Sequence, residues 1–597
     1  MVDKADPAGN GGDHDHESWA DLIERSQRLT AQIRERQATE DGFSVPDPGI
    51  IGRLMAEVNS HLAADPARLQ EAQARLQADY ARLADMMSRR LKGEAVEPVA
   101  EPAPDDRRFK DPAWSENPVF DGIKQFYLLT SRWLVGLVDG LDNLNPKTRH
   151  KAAFYTRQFV NAMAPTNFWT TNPKVLRATV ESGGENLRRG FHNFLDDLER
   201  GHGHLRISLT RPDAFRLGES LAITPGKVVF ENDLMQLIQY APTTPTVHRR
   251  PLLIVPPWIN KFYVLDLQPR NSFIRWAVDQ GHTVFVVSWV NPNKALAHKR
   301  FDDYMAEGPL TALDAIEKAT SESSVNAIGY CIGGTLLACT LAHMAAVGDT
   351  RVASATFFTT LVDFAEPGEL GVFIDEDEIA LLETHMQERG FLEGAHMAQV
   401  FNMLRENDLI WSYVVNNYLM GHEPPPFDIL YWNADSTRMP AMMHSVYLRQ
   451  MYLENRLVRP GAAHLAGTDI DLRRITVPTY ILATREDHIA PWRSTYAAVR
   501  HYGGRKTFVL AGSGHIAGVI NPPVANKYGY WTAARHPKDP DAWLDGAHHH
   551  DGSWWPHWAG WSGKRGGGRV PARSPGDGAL TPIEDAPGRY VKMKADG

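Results

Sequence analysis

Six short apolar runs between residues 251 and 515 restrict what this chain can fold into more than any other feature: "PLLIVPPW", "HTVFVVSWV", "SSVNAIGYC", "SATFFTTL", "PTYILATRED" and "KTFVLAGSGH". Most are continuous Val, Ile, Leu or Phe rather than alternating with polar residues, so a strand made from them is apolar on both faces. Helix-forming segments lie between several of them. Strands buried on both faces and joined by helices build a mostly parallel α/β sheet. Between "TTLVDF" and "RRITVPTY" lie roughly a hundred residues without a strand pattern, far beyond an ordinary connection. This insertion, about 365–475, is expected to cap one end of the sheet.

The third run ends in "GYCIGG" and is followed by the helix former "TLLACTLAHMAA". A G-x-C-x-G pattern on a strand-to-helix turn is a nucleophile elbow: Gly329 and Gly333, lacking Cβ atoms, permit a bend sharp enough to expose the Cys331 side chain above the sheet. The helix that follows brings its dipole and free N–H groups beside the sulfur, favouring a thiolate and a developing oxyanion. The Ile332 amide is the first expected oxyanion donor. A second is expected from the loop after the first run, "VPPWINK", at the Ile259 amide. An activated thiol needs a base, and "GSGHIAG" supplies His515 just after the last run, while "ATREDHIAPW" supplies Asp487 after the one before. The order Cys331, Asp487, His515 is the nucleophile, acid, histidine order of α/β-hydrolases. Each also has a plain structural reading. Cysteine is often a small buried hydrophobe, which suits Cys339 inside its apolar helix; Asp487 can instead cap a helix beginning at "APWRSTYAAV".

Four parts are expected along the chain. Residues 1–60 are polar and read as mobile or loosely helical. Residues 61–205 read as a mainly helical N-terminal domain; in "PARLQEAQARLQADYARLADMMSRRLKG" Leu69, Leu76, Tyr80, Leu83 and Met87 recur at helical intervals, with Gly93 to end the helix. Residues 206–562 form the α/β-hydrolase catalytic domain with its cap insertion, and 563–597, rich in Gly, Pro and charge, read as an irregular tail.

A net charge of -9 argues against nucleic-acid binding, which needs a basic footprint. Two cysteines, Cys331 and Cys339, make neither a disulfide framework nor a four-thiolate zinc site, and a cytoplasmic setting is expected. No stretch is long and apolar enough to span a bilayer. "AHHHDGSWW" lacks the spacing of metal ligands and no metal site is expected there or elsewhere. The Arg249–Arg250 pair is open to phosphate binding or to a simple surface role, and the tryptophans of "WWPHWAGW" to core or exposed surface.

With Cys331, Asp487 and His515 in this order, the chain resembles the class I polyhydroxyalkanoate synthases. The resemblance runs from about residue 105 onward through "AMAPTNFWTTNP", "ESGGENLRRG", "VVFENDLMQLIQY", "GYCIGGT", "NDLIWSYVVNNYLMG", "PFDILYWNADSTRMP", "SGHIAGVINPP" and "GSWWPHW". It implies polymerisation of (R)-3-hydroxyacyl-CoA, expected to be short-chain such as 3-hydroxybutyryl-CoA, into a polyester stored in cytoplasmic granules, with CoA released. It implies a Cys331–Asp487–His515 triad, a dimer or cap contact at Trp411, a homodimer, phasins as granule partners, and no cofactor, CoA being part of substrate and product. Asp487 either orients His515 or activates the 3-hydroxyl. A thiol suits this chemistry, because attack on a thioester gives another thioester and the bound chain stays activated. The alternatives are a cysteine-dependent thioesterase or depolymerase of the same fold, and an inactive granule-binding protein.

Overall fold

Each of the six apolar runs forms a strand of one sheet. The strands are β1 (Gly226–Glu231), β2 (Met235–Tyr240), β3 (Leu252–Val255), β4 (Val284–Trp289), β5 (Val325–Tyr330), β6 (Val352–Phe358), β7 (Thr479–Thr484), β8 (Lys506–Ala511), β9 (Tyr530–Thr532), β10 (His548–His550) and β11 (Glu584–Asp585). Their spatial order is β10-β9-β8-β7-β6-β5-β3-β4-β2-β1-β11. The six central strands are parallel, with Ile328 of β5 opposite Ile254 of β3 and Thr356 of β6. The flanking strands on both sides pair antiparallel. All of β3, β4, β5 and β7 is buried, as continuous apolar runs require. A fully buried Val, Leu, Ile or Phe contributes about 1.5–3 kcal/mol, so the core on one face of this sheet, from Val228 through Ile254, Ile328 and Leu482 to Trp558, holds the frame on which the loops sit.

The computed structural model describes residues 17–37 and 43–595. The chain divides into two compact units: Met1–Pro212 with Phe401–Pro426, and Asp213–Val400 with Phe427–Gly597. The second holds the sheet. In the first, helices α1 (Trp19–Gln37), α2 (Pro48–Ala64), α3 (Pro66–Leu91), α4 (Pro118–Asp139), α5 (Pro146–Ala162), α6 (Pro173–Glu181) and α7 (Glu185–Arg200) dominate. The amphipathic stretch is α3, started by Asp65 accepting from the Arg68 N–H at 3.1 Å and followed by Gly93 at φ +85°. Leu83 and Met86 enter a core with Tyr127, Leu128 and Val160, against which Tyr80 and Met87 pack.

Three expected boundaries change. The polar start is helical over α1 and α2, where Leu22, Leu29, Ile50 and Leu54 are buried; the expectation of mobility at 1–16 and 38–42 lies outside the described residues. The insertion at 365–475 is not one cap, because its middle, Phe401–Pro426, belongs to the helical unit. There Asn186 and Asn193 donate to the carbonyls of Leu419 and Asn417 at 2.8 and 3.0 Å, and the Tyr418 hydroxyl donates to Asp197 at 2.6 Å. Gly190 makes room: a Cβ there would lie 1.8 Å from the Tyr418 carbonyl oxygen.

The C-terminal segment, expected to be irregular, supplies β11 along the edge of β1, and Arg569–Pro571 pairs with Thr246–His248. An open strand edge offers unpaired N–H and C=O groups to any extended backbone, whatever its side chains. Near its end, Lys261 donates to the Met593 carbonyl at 2.8 Å and Arg438 to that of Ala595.

Candidate active site

Cys331 stands between β5 and helix α8 (Ile332–Val347), at φ 53° and ψ −125°. A non-glycine residue held there stores about 1–3 kcal/mol. The surroundings enforce it: the Cys331 N–H donates to the Phe358 carbonyl at 2.9 Å, and the Cys331 carbonyl accepts from Gly334 and Thr335 at 2.9 and 3.1 Å. The elbow glycines are required by close approach. A Cβ on Gly329 would lie 2.5 Å from the Gly334 Cα, and one on Gly333 would lie 2.3 and 2.5 Å from the Val255 and Pro256 carbonyl oxygens. The bend therefore presses directly on the loop after β3. Cys331 is partly exposed and Cys339 is buried, where burial pushes the Cys339 thiol far above its usual range.

His515 follows β8 and Asp487 follows β7, neighbouring parallel strands. The structure brings them together with Cys331. His515 Nδ1 lies 2.7 Å from Asp487 Oδ2, and the same imidazole is close enough to feel the Cys331 sulfur. Asp487 Oδ1 accepts from the Ile489 and Ala490 N–H groups at 2.9 and 2.8 Å, and Oδ2 also accepts from the Thr484 hydroxyl at 3.1 Å. The next helix, Trp492–Tyr496, has Pro491 at its cap position, so Asp487 closes its own loop rather than capping that helix. Burial of the His515 ring disfavours its charge, but the Asp487 carboxylate and the Cys331 sulfur outweigh that and hold its pKa up to about 10.

The loop carrying His515 is clamped from below. Helix α11 is preceded here by α9 (Glu376–Arg389) and α10 (Gly394–Met403), and itself spans Trp555–Gly563. The indole N–H groups of Trp554 and Trp555 donate to the Gly518 and Val519 carbonyls, each at 2.9 Å, and Trp558 donates to Thr356 at 3.0 Å. All three rings are buried. The "WWPHW" cluster is thus core. The Tyr330 hydroxyl adds a bond to the His515 carbonyl at 3.2 Å.

The other singled-out residues fall as follows. Ile332 opens α8 immediately after the sulfur. The Ile259 carbonyl accepts from the Thr437 N–H and hydroxyl, both at 3.0 Å, which pins the loop following Pro256 and Pro257. Trp411 ends the π-helical turn Asn407–Trp411 in the helical unit and is half-buried. Arg250 is spent on Ser324 and the Arg565 carbonyl at 3.1 and 3.0 Å, and Arg249 lies 3.8 Å from Glu322. His548–His550 is β10, with His550 bonded to Thr532 at 2.8 Å.

Two residues escaped the sequence. Tyr447 and Tyr452 lie on the π-helical turn Tyr447–Leu453, the local geometry that often marks functional sites. Their rings pack on each other and on Phe364, at 4.7–6.2 Å between centroids. Burial, and after it the nearby Cys331 sulfur, pushes the Tyr452 phenol up; Tyr447 is raised by burial, by Tyr452 and by the same sulfur. No spacing in the sequence announces a π turn.

Comparison with known proteins adds the following. The family described as "Poly-beta-hydroxybutyrate polymerase (PhaC) N-terminus" matches residues 105–277, and "alpha/beta hydrolase fold" matches residues 250–522. A "Poly(3-hydroxyalkanoate) polymerase" of Methylorubrum extorquens is 53% identical over 578 residues, covering 95% of each chain. The "Poly(3-hydroxyalkanoate) polymerase subunit PhaC" of Rhizobium meliloti (strain 1021) is 51% identical, covering 95% of this chain and 92% of its own. The protein of the same description from Cupriavidus necator is 44% identical over 94% of each.

Proposed function

The chain belongs to the poly(3-hydroxyalkanoate) polymerase family, and from there we propose that it joins 3-hydroxyacyl units, delivered as (R)-3-hydroxyacyl-CoA, into a polyester through covalent attachment to Cys331. The observation that carries this reading is one buried imidazole, hydrogen-bonded to Asp487 and near the sulfur of Cys331 at the elbow. His515, whose charged form Asp487 and the nearby sulfur favour, carries the Cys331 proton while the sulfur attacks the thioester carbonyl. The carbonyl oxygen becomes an oxyanion facing the Ile332 and Ile259 amides. The C–S bond to CoA then breaks, and its sulfur leaves with the proton from His515.

In the second half, the 3-hydroxyl of another monomer attacks the acyl–Cys331 carbonyl and gives its proton to His515. The bond to Cys331 breaks, and the lengthened chain, still a CoA thioester, is taken up again by the sulfur. Asp487, with both oxygens already engaged by Thr484, Ile489 and Ala490, orients His515 and stabilises its charged form. No cofactor enters these steps. Water must be kept out, since hydrolysis ends the chain; the parts of the insertion that stay with the sheet, including Tyr431, Trp432, Tyr447 and Tyr452, serve as the lid. A disulfide that locks this lid yet leaves turnover unchanged would remove that role.

Short-chain substrates, a homodimer through Trp411, and residence on cytoplasmic granules with phasins belong to the same proposal. Among the described residues no helix is long and apolar enough to cross a membrane. The test is to incubate purified protein with 3-hydroxybutyryl-CoA and follow free CoA and insoluble polyester together. Release of both in step is expected. Release of CoA matched by free hydroxy acid would make the protein a thioesterase instead.

A further inference from the structure

Among the described residues, one group of side chains outside the catalytic constellation has the composition of a metal ligand set: His385, Glu393 and His396. His385 lies in the last turns of α9. The chain then reverses at Gly390, φ +88°, and passes through Phe391–Leu392, which pairs with Met439–Pro440. Glu393 follows at once, and His396 sits in the first turn of α10. A loop and two helix ends therefore converge on one carboxylate oxygen. His385 Nε2 lies 3.0 Å and His396 Nδ1 3.4 Å from Glu393 Oε2. The two rings stand nearly perpendicular, at 89° with centroids 5.5 Å apart. All three donor atoms lie within 4.8 Å of one another.

We propose that His385, Glu393 and His396 bind a first-row divalent cation, Zn²⁺ by preference. Two imidazoles and one carboxylate are the donor set of three-ligand zinc sites, whose fourth position is left to water; hard all-oxygen cages for Ca²⁺ or Mg²⁺ look different. Arg389 donates to the other carboxylate oxygen, Oε1, at 2.6 Å. That bond fixes the carboxylate's orientation and leaves Oε2 toward the imidazoles, as outer partners of metal ligands do. His385 is buried and the other two partly exposed, so the cluster is anchored on one side and reachable from the other. Its place suggests a clasp. The ion would join the end of α9 to the start of α10, just before the chain leaves the sheet-bearing unit at Phe401. The H-x7-E-x2-H spacing matches no familiar ligand motif; the reversal at Gly390 is what closes it.

The test uses the full chain, stripped with chelator and titrated with Zn²⁺, and with Co²⁺ as a spectroscopic substitute. The protein has 24 histidines, so three proteins are compared: the parent, His396→Gln, and a His548→Gln/His549→Gln control on the exposed edge strand. One tight equivalent in the parent and the control is expected, weakened by about 100-fold or more in His396→Gln, since even outer partners are worth about 10–100-fold. Equal affinity in His396→Gln, loss of the tight equivalent in the control, or no tight equivalent in the parent overturns the proposal. If His396→Gln does not fold, X-ray absorption of the zinc-loaded parent decides alone. A shell of nitrogen and oxygen only, at ~2.0–2.2 Å, supports the site, whereas sulfur at ~2.3 Å would put the ion on Cys331 and overturn it.

Discussion

Cys331 caps the helix that holds Cys339, eight residues and about 12 Å further on, yet they are different chemical groups. Cys331 sits where the helix begins, at a positive φ, partly exposed and near a buried imidazole. Cys339 sits two turns on, fully buried, where desolvation keeps the thiol protonated. Neither the residue type nor the sheet explains the contrast. It comes from what the turn exposes and from which loops converge on it: the β7 and β8 loops bring Asp487 and His515 to Cys331.

The largest test of the contrast is to delete each thiol. Cys331→Ala should lower CoA release from 3-hydroxybutyryl-CoA by on the order of 10⁴-fold or more, while Cys339→Ala stays within about twofold; comparable losses from both would erase the distinction. Next, His515→Gln should cost about 10²–10⁴-fold in turnover and slow alkylation of Cys331 by iodoacetamide, read by mass spectrometry, with Cys339 unlabelled in either folded protein. Labelling of Cys339 at the rate of Cys331 would contradict the burial difference.

Gly333→Ala sharpens the comparison at the backbone, since the added Cβ meets the Val255 and Pro256 carbonyl oxygens. It should destabilise the fold by about 1–3 kcal/mol and reduce turnover, seen as a lower urea midpoint together with slower CoA release. A fourth test is pH. The imidazole goes from an ordinary pKa of ~6.5 when unfolded to about 10 in the fold, so its contribution to stability is complete below ~6.5 and is lost as pH rises through about 10. The urea-stability gap between the parent and His515→Gln should therefore shrink from pH 7 to pH 10; a constant gap would show that the charged ring contributes nothing. The smallest effect is Cys339→Ser, which buries a hydroxyl in place of a thiol and should cost about 1 kcal/mol without changing turnover.

How much of this the sequence carried depends on the kind of signal. The parallel strands were legible because burial on both faces writes a continuous apolar run, and Cys331, Asp487 and His515 because a tight bend and two strand ends leave glycine and acid–base residues at fixed places. β1 and β2, half polar and antiparallel, gave no such run. β11 was hidden because edge pairing uses backbone alone. The transfer of Phe401–Pro426 to the helical unit rests on carbonyls of Asn417 and Leu419 accepting from asparagines, and a carbonyl has no letter in a sequence. The His385, Glu393, His396 cluster was missed for a related reason: only the reversal at Gly390 makes neighbours of residues whose spacing fits no motif.

The backbone at Cys331 has a practical corollary. Glycine adopts such a conformation at little steric cost, so position 331 is one where replacing the reactive side chain relieves tension. A breeding campaign that ranks variants by heat tolerance alone would drift toward an inert polymer-maker, because endurance and turnover reward opposite letters at that codon. Any such campaign has to score product as well as survival.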